Sequence, residues 1–208
     1  MEETCLQQSF FAQHAWLLEV PGQQPIPASA IQALEGIANA ISAEIEAKAD
    51  ETTEPESTSD DAPAAKPLFE GHRIPPISLK DYVIRIWNYT KVSPICMLVA
   101  YTYVESLNAR GRCHVTHLTS HRLLLTAVLL AAKCYEDTVY NNIYFAKVGG
   151  ITPAELNMLE MEMLKLLDFR LLVDVDDLHR RLVLLEQGKL ALCKEAPEAS
   201  GMPVCYGV

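Results

Sequence analysis

The sequence has few of the features that mark enzymes or metal-binding proteins. Its 208 residues contain no GxGxxG, GxxxxGK[ST], HExxH or GxSxG motif, the short patterns that carry nucleotide, metal or nucleophile chemistry. Its six cysteines form no Cys-x₂-Cys pair, so their spacing is not that of a zinc site. We therefore expect a protein that is not an enzyme and needs no cofactor. A helical enzyme would require a pocket with convergent polar groups.

The chain also lacks a basic N-terminal segment and a long apolar run. Its start, MEETCLQQ, is acidic, whereas a secretory signal begins with basic residues. Its most apolar stretch, Leu123 to Ala132, has Thr126 as the single polar residue. This stretch is too short for a membrane helix, which needs about 18 to 20 apolar residues. We expect an intracellular protein, in the cytoplasm or nucleus, with reduced thiols and no membrane contact.

Positive charge is scarce. The chain has 17 Lys and Arg against 27 Asp and Glu, a net charge of −10 and a pI near 5.0. Because nucleic acids are bound by clustered Lys and Arg, we expect no nucleic-acid partner. Half of the residues are hydrophobic, which is enough for a sizeable core. With no small-molecule motif in view, the composition favours a module that binds another protein.

Helical periodicity dominates what is present. No segment alternates with period two long enough to predict a strand, whereas apolar residues recur at helical spacing. The run from Leu123 to Ala132 is apolar at every angle of a helical wheel, which predicts a helix buried on all sides. The sequence therefore predicts an all-α bundle around this helix. The helix-start signals are Ser29 with Gln32, Ser78, Ser93 with Pro94, Thr119 or Ser120, Asn141, Thr152 with Pro153 and Glu155, and Asp174 with Asp176 and Asp177.

The pattern divides the chain into five segments. Residues 1–27 form an N-terminal extension, in which Phe10 to Val20 could be a short helix. Residues 28–49 predict an amphipathic helix, and residues 50–67, acidic and rich in Ser, Thr and Pro, predict a disordered linker. Residues 68–173 then predict one compact helical bundle. Residues 174–208 hold a last helix and a tail.

One acidic residue interrupts an apolar pattern. Glu160 falls inside the apolar arc of the helix that begins at Pro153. A buried carboxylate normally has a cationic or N–H partner. Two interpretations stay open: Glu160 reaches solvent at the rim of the arc, or it is a partly exposed carboxylate, beside Lys133, that is available to another molecule.

Two further polar groups carry weaker signals. Cys113, His114, His117 and His121 could form a metal cluster, but without paired Cys-x₂-Cys spacing we expect residues of a loop and a helix start. Glu136 and Asp137 are adjacent, so on a helix they point about 100° apart. We expect them to form a solvated helix end rather than a catalytic dyad.

Three stretches between about Phe69 and Val173 carry a family resemblance. They read SLKDYVIRIWNYTKVSPICMLVAYTYVESL, HRLLLTAVLLAAKCYEDTVYNNIYFAKVGGIT and ELNMLEMEMLKLLDFRL. Together, the elements SPxC, HRLLLT, AAK, YNN and AKVGGI resemble the cyclin box of P-type (PHO-like) cyclins. The resemblance implies a single five-helix cyclin box whose third helix is Thr119 to Glu136. It also implies a regulatory subunit that binds and activates a cyclin-dependent protein kinase, in control of cell division or nutrient signalling.

The resemblance further implies which residues meet the kinase. Lys133, at the end of the third helix, and Glu160, on the fifth, match the positions that hydrogen-bond to kinase backbone in related cyclins. Leu164 and Phe169 match apolar positions of the same face. Cys134 stands where an aromatic residue is common, which reduces the expected contact area.

The chain departs from the family near the end of the second helix. Family members usually carry Asp-Arg there, whereas this chain has Glu105-Ser106. We expect Glu105 to pair with Arg85 of the first helix in a structural role. The competing interpretation is a cyclin-fold scaffold, or a module like those of transcription factors, that binds no kinase.

Overall fold

The computed structural model describes residues 28–51 and 68–191, and these residues form helices joined by turns, with no strand among them. The all-α prediction is confirmed. The expected helix at 10–20, residues 52–67 of the predicted linker at 50–67, and the tail beyond 191 lie outside the described residues. Residues 50 and 51, which the sequence assigns to the linker, belong to the preceding helix. The helices are α1 (Ala28–Glu51), α2 (Leu79–Thr90), α3 (Pro94–Ala109), α4 (Ser120–Tyr135), α5 (Asn142–Gly149), α6 (Pro153–Leu166) and α7 (Val175–Glu186).

Helix α4 is the centre of the bundle and packs against α2, α3, α5 and α6. Every residue from Leu123 to Ala132 is at most 2% exposed, as expected for a run that is apolar at every angle. The Thr126 hydroxyl donates to the carbonyl of Arg122 at 2.8 Å, so this polar group is satisfied within its own helix. Each buried leucine contributes about 1.5–3 kcal/mol relative to an exposed one.

Helix α1 packs on the bundle of its own chain, against α2, α3 and α7. Leu34, Ile37 and Ile41 of its apolar stripe are each 1% exposed. The helix begins at Ala28, so the prediction that Ser29 caps it is wrong, and Ser29 lies in the first turn. Among the described helices, none combines the length and the apolarity that a membrane span requires.

Four of the predicted helix starts have the expected capping geometry. At these sites a side-chain oxygen accepts the N–H of a residue two or three positions further on, which satisfies an otherwise unpaired donor. The capping residues are Ser78, Asn141, Thr152 and Asp174. The left-handed Gly150, with φ of 74°, ends α5, as the Gly149-Gly150 pair predicts.

The side-chain caps predicted at Ser93 and Thr119 are wrong. Both residues stand directly before their helices, α3 and α4, but neither side chain caps the helix. The Ser93 hydroxyl donates to Glu136 at 2.6 Å, and the Thr119 hydroxyl donates to the carbonyl of His114 at 2.8 Å. In each case the hydroxyl is oriented toward an oxygen acceptor outside the helix and does not accept an N–H from the first turn.

The predicted pair between Arg85 and Glu105 is also wrong. Arg85 donates its Nε–H to the carbonyl of Val148 at 2.9 Å, which joins α2 to α5. Glu105, which is 4% exposed, accepts from Arg181 of α7 at 2.6 and 2.8 Å. The two residues face different neighbours because α5 packs on α2 while α7 packs on α3.

Candidate functional site

Lys133 and Glu160 meet where α4 and α6 pack together. The Lys133 ammonium lies 2.5 Å from Glu160 Oε1, with 39% of the lysine side chain and 16% of the glutamate side chain exposed. At the other end of the same helix pair, Arg122 binds Glu155 at 2.7 Å. Two ion pairs thus join α4 and α6. Glu160 is therefore a half-buried, paired carboxylate that still reaches the surface.

The second oxygen of Glu160 is held from α5. Asn142, the first residue of α5, donates from Nδ2 to Glu160 Oε2 at 2.7 Å. The same nitrogen also donates to Asn157 Oδ1 at 2.7 Å. Each carboxylate oxygen thus has a donor from a different helix. Sequence reasoning missed Asn142, although it lies in the YNN element.

Apolar side chains lie beside this pair. Leu164, one turn after Glu160 on the same face of α6, is half-buried, and Met161 is 51% exposed. Phe169, just beyond the helix, is 45% exposed. We name the set Lys133, Cys134, Glu160, Leu164 and Phe169 the Lys133–Glu160 surface. Four of these residues are joined in pairs. Lys133 pairs with Glu160, and the Phe169 N–H donates to the carbonyl of Leu164 at 2.9 Å.

Phe169 is presented by a strained turn. Asp168 and Phe169 both have positive φ, 52° and 57°, a conformation that costs a residue with a side chain about 1–2 kcal/mol. Arg112 holds the turn by donating to the Leu166 carbonyl at 2.9 Å and to Asp168 at 2.8 Å. This hydrogen bond from Arg112 lowers the pKa of Asp168, and the positive charge of Arg112 adds to the effect. The turn is thereby fixed in its strained form.

The segment after that turn is tied to the end of α4. The hydroxyl of Tyr135 donates to the Leu171 carbonyl at 3.2 Å and accepts the Val173 N–H at 2.8 Å. Tyr103 of α3 donates to the same carbonyl of Leu171 at 2.5 Å. Because Tyr135 follows Cys134 directly, these bonds keep the end of α4 beside the segment that carries Phe169.

Glu136 is not the solvated helix end that the sequence predicts. Its Oε1 accepts from the Ser93 N–H at 2.7 Å, from the Ser93 hydroxyl at 2.6 Å and from the Cys96 thiol at 3.2 Å. The carboxylate thus sits at the N-terminal end of α3, where negative charge is favoured. Burial raises the pKa of the Cys96 thiol above its ordinary range, so this thiol stays protonated and donates.

Of the histidines in the candidate metal cluster, His121 has structural contacts, whereas His114 and His117 are exposed. His121 Nε2 lies 3.1 Å from the Ile77 carbonyl, and its ring centroid is 4.7 Å from that of Tyr82. Burial lowers the pKa of His121, which favours the neutral ring. Cys113 is buried. Within residues 28–51 and 68–191, no three side chains of the metal-binding types come together.

A cavity of about 710 Å³ opens between residues 73–77, α2 and the turn from α5 to α6. Its polar lining includes Tyr82, Arg85, His121 and Arg122. Each of these side chains also contacts another segment. Tyr82 donates to the Gly149 carbonyl at 3.3 Å, and Arg85 donates to the Val148 carbonyl. His121 contacts the Ile77 carbonyl, and Arg122 pairs with Glu155. These groups therefore join the helices around the cavity.

Comparison with known proteins relates this helical chain to cyclins. A sequence model of the cyclin family matches residues 28–171. Cyclin-P3-1 of Oryza sativa subsp. japonica is 40% identical over 130 residues, 62% of this chain and 55% of that protein. Cyclin-U3-1 of Arabidopsis thaliana is 41% identical over 126 residues, 61% of this chain and 57% of that protein. Cyclin-U1-1 of Arabidopsis thaliana is 47% identical over 106 residues, half of each chain. The chain thus spans about half the length of these relatives.

Proposed function

The chain belongs to the cyclin family, and on this basis we propose that it is a non-catalytic subunit that binds and activates a cyclin-dependent protein kinase. We propose that it acts inside the cell and contacts the kinase through the Lys133–Glu160 surface. The observation that carries this proposal is the ion pair itself, 2.5 Å long and still partly exposed. Its position matches the interface positions that the resemblance to P-type cyclins implies.

The Lys133–Glu160 pair contributes little to the stability of the chain. An exposed ion pair contributes only about 0–1 kcal/mol to stability, so Lys133 and Glu160 hold little of the fold. Both groups retain bonding capacity, because an ammonium has three donors and a carboxylate about four acceptor positions. In the bonds described above, Lys133 uses one donor and Glu160 two acceptor positions. The pair can therefore bind a partner's backbone C=O and N–H groups without breaking.

The neighbouring apolar groups supply the rest of a protein interface. Phe169 and Met161 are about half exposed, and Leu164 is half-buried beside Glu160. Aromatic residues and Met are enriched in interfaces, and a polar centre beside apolar anchors gives both orientation and burial. The resemblance implies that these positions meet kinase backbone beside the helix that bears the catalytic glutamate. Held inward by this contact, the kinase helix would keep its glutamate paired with the ATP-positioning lysine.

A charge exchange tests the proposal. The double variant Lys133→Glu with Glu160→Lys retains an ion pair but reverses each charge that the kinase meets. We expect the variant to stay folded and kinase activation to be lost. Its free energy of unfolding should fall by no more than about 1–2 kcal/mol, because a partly exposed pair contributes about 0–1 kcal/mol and the Asn142 bond to Glu160, which the exchange removes, about 1 kcal/mol. The control exchanges Lys80 and Glu35, an exposed pair of 3.1 Å between α2 and α1. That variant should activate normally.

The measurements are capture of kinases from an extract of the source cells, identified by mass spectrometry, and phosphate transfer by the captured kinase after purification. Capture of no kinase by the wild-type chain would refute the proposal in favour of a cyclin-fold scaffold. Full activation by the Lys133/Glu160 exchange variant, or its unfolding, would show that the surface is wrongly assigned.

A further inference from the structure

The polar bridge at the start of α5 explains how Glu160 is kept in one orientation. Asn142 Nδ2 lies 2.7 Å from Glu160 Oε2 and 2.7 Å from Asn157 Oδ1. Because an ionised carboxylate can only accept, the group of Asn142 that faces it must be the amide nitrogen. Both amide hydrogens are then used, one toward each residue of α6. We propose that Asn142 is a positioning residue, which fixes the Glu160 carboxylate for the kinase before the kinase arrives.

The frame that carries Asn142 is rigid enough for this task. The Asn141 side chain caps α5 by accepting the Tyr144 N–H at 3.0 Å. The Tyr144 hydroxyl donates to the Tyr89 carbonyl at 2.8 Å and so ties α5 to α2. Asn142, the first residue of α5, therefore belongs to a capped and anchored helix turn. A group on such an element holds its neighbour more accurately than a group on a free loop.

Fixing Glu160 in advance has a consequence for binding. A glutamate has several rotatable bonds, and ordering such a side chain during association costs affinity. Here Lys133 holds Oε1 from α4 and Asn142 holds Oε2 from α5. With both oxygens held, the rotamer is already selected in the unbound chain. The kinase then meets a preorganised acceptor, and less affinity is lost to ordering it.

This inference rests on the proposed function, but it makes a separate claim: Asn142 acts on binding through Glu160 and not by its own contact or through the fold. A double-mutant cycle separates these cases. The variants are Asn142→Ala in the wild-type chain and in the Glu160→Ala chain. The matched control is Asn157→Ala, which removes the other partner of the same amide nitrogen and leaves the bond to Glu160.

The dissociation constant of each variant is measured with the purified kinase that the wild-type chain captures. In the wild-type chain we expect Asn142→Ala to weaken binding about three- to tenfold, the size of the cost of ordering one long side chain during association. In the Glu160→Ala chain the same change should weaken binding less than about twofold, and so should Asn157→Ala in the wild-type chain. Equal weakening in both backgrounds would overturn the inference while leaving the proposed function standing.

Capture of no kinase would refute the proposed function but would not test the positioning role of Asn142. Crystal structures of the unbound chain test that role without a kinase. We expect the Glu160 carboxylate to keep one orientation in the wild-type chain and to occupy more than one, or a shifted one, in Asn142→Ala. An unchanged orientation in that variant would overturn the positioning role.

Discussion

Replacing Arg181 by methionine tests how α7 is held against the bundle. The Arg181 guanidinium binds Glu105 of α3 with N–O distances of 2.6 and 2.8 Å, and the side chains are 12% and 5% exposed. Arg181 Nη1 also donates to the Asp177 carbonyl at 3.2 Å. Burial by itself would lower the pKa of Arg181, but the negative charges of Glu105 and Asp177 outweigh it and raise the pKa. The arginine is charged at every pH at which the protein folds.

The expected cost follows from this burial. Methionine keeps the apolar stem but removes the cation, so the Glu105 carboxylate stays in a site that is 5% exposed without the charge of Arg181. Breaking a buried pair by removing one partner costs about 3–5 kcal/mol. Since some water reaches Arg181, we take the lower end, about 3 kcal/mol. That is a large share of the roughly 5–15 kcal/mol that stabilises a typical domain.

Urea denaturation, followed by circular dichroism, measures this cost as a change in the free energy of unfolding. The control is Arg180→Met: Arg180 is 71% exposed, and its partner Asp177, 12% exposed, keeps Arg181 as a second partner at 3.4 Å. The expected loss is therefore below about 1 kcal/mol. Adding Glu105→Leu to Arg181→Met should recover most of the stability, because an apolar pair avoids the desolvation of both charges. A loss under about 1 kcal/mol in Arg181→Met, or a double variant as unstable as the single one, would refute the reasoning.

Two further predictions concern the supports of the bundle. Glu136→Ala should lower the free energy of unfolding by about 1–2 kcal/mol, because the Ser93 N–H at the start of α3 loses its acceptor. The control, Asp137→Ala at an exposed position, should change it little. Equal losses for the two variants in urea denaturation would contradict this prediction. Because burial holds the pKa of His121 below its unfolded value of about 6.5, its contribution to stability is complete above that pH and declines as the pH falls toward the folded pKa. The stability of His121→Gln should therefore fall less steeply below pH 6.5, and an unchanged slope would contradict the prediction.

The chain shows which features of a helical fold local sequence determines. The starts of α2, α5, α6 and α7 were predictable because a capping side chain and its N–H are two or three residues apart. The central position of α4 was predictable because a run apolar at every angle has no face left for solvent. Both inferences use interactions within one helix, and neither requires knowing how the helices are arranged.

The failed predictions concern side chains whose partners lie far along the chain. Glu105 is expected to pair with Arg85 of the first helix, but it binds Arg181, 76 positions away. The Ser93 hydroxyl was expected to cap its own helix, but it meets a carboxylate 43 positions away. Such pairs depend on which helix packs beside which and on the rotation of each helix about its axis. A hydrophobic pattern specifies the buried face but leaves these rotations uncertain within the width of that face.

The same reasoning explains why acidic residues mark the informative positions of this chain. In a protein with a net charge of −10, a carboxylate within an apolar pattern is costly unless another segment brings it donors. Glu105 meets Arg181, Glu136 meets the start of α3, and Glu160 meets Lys133 and Asn142. Glu105 is 4% exposed and joins α3 to α7, and Glu136 is half-buried and joins the end of α4 to α3. The Glu160 side chain is also mostly buried, but its partner Lys133 is 39% exposed beside apolar groups. We therefore propose that the exposed lysine partner and the apolar neighbours of Glu160, rather than a carboxylate in the pattern, distinguish this site from the structural carboxylates Glu105 and Glu136.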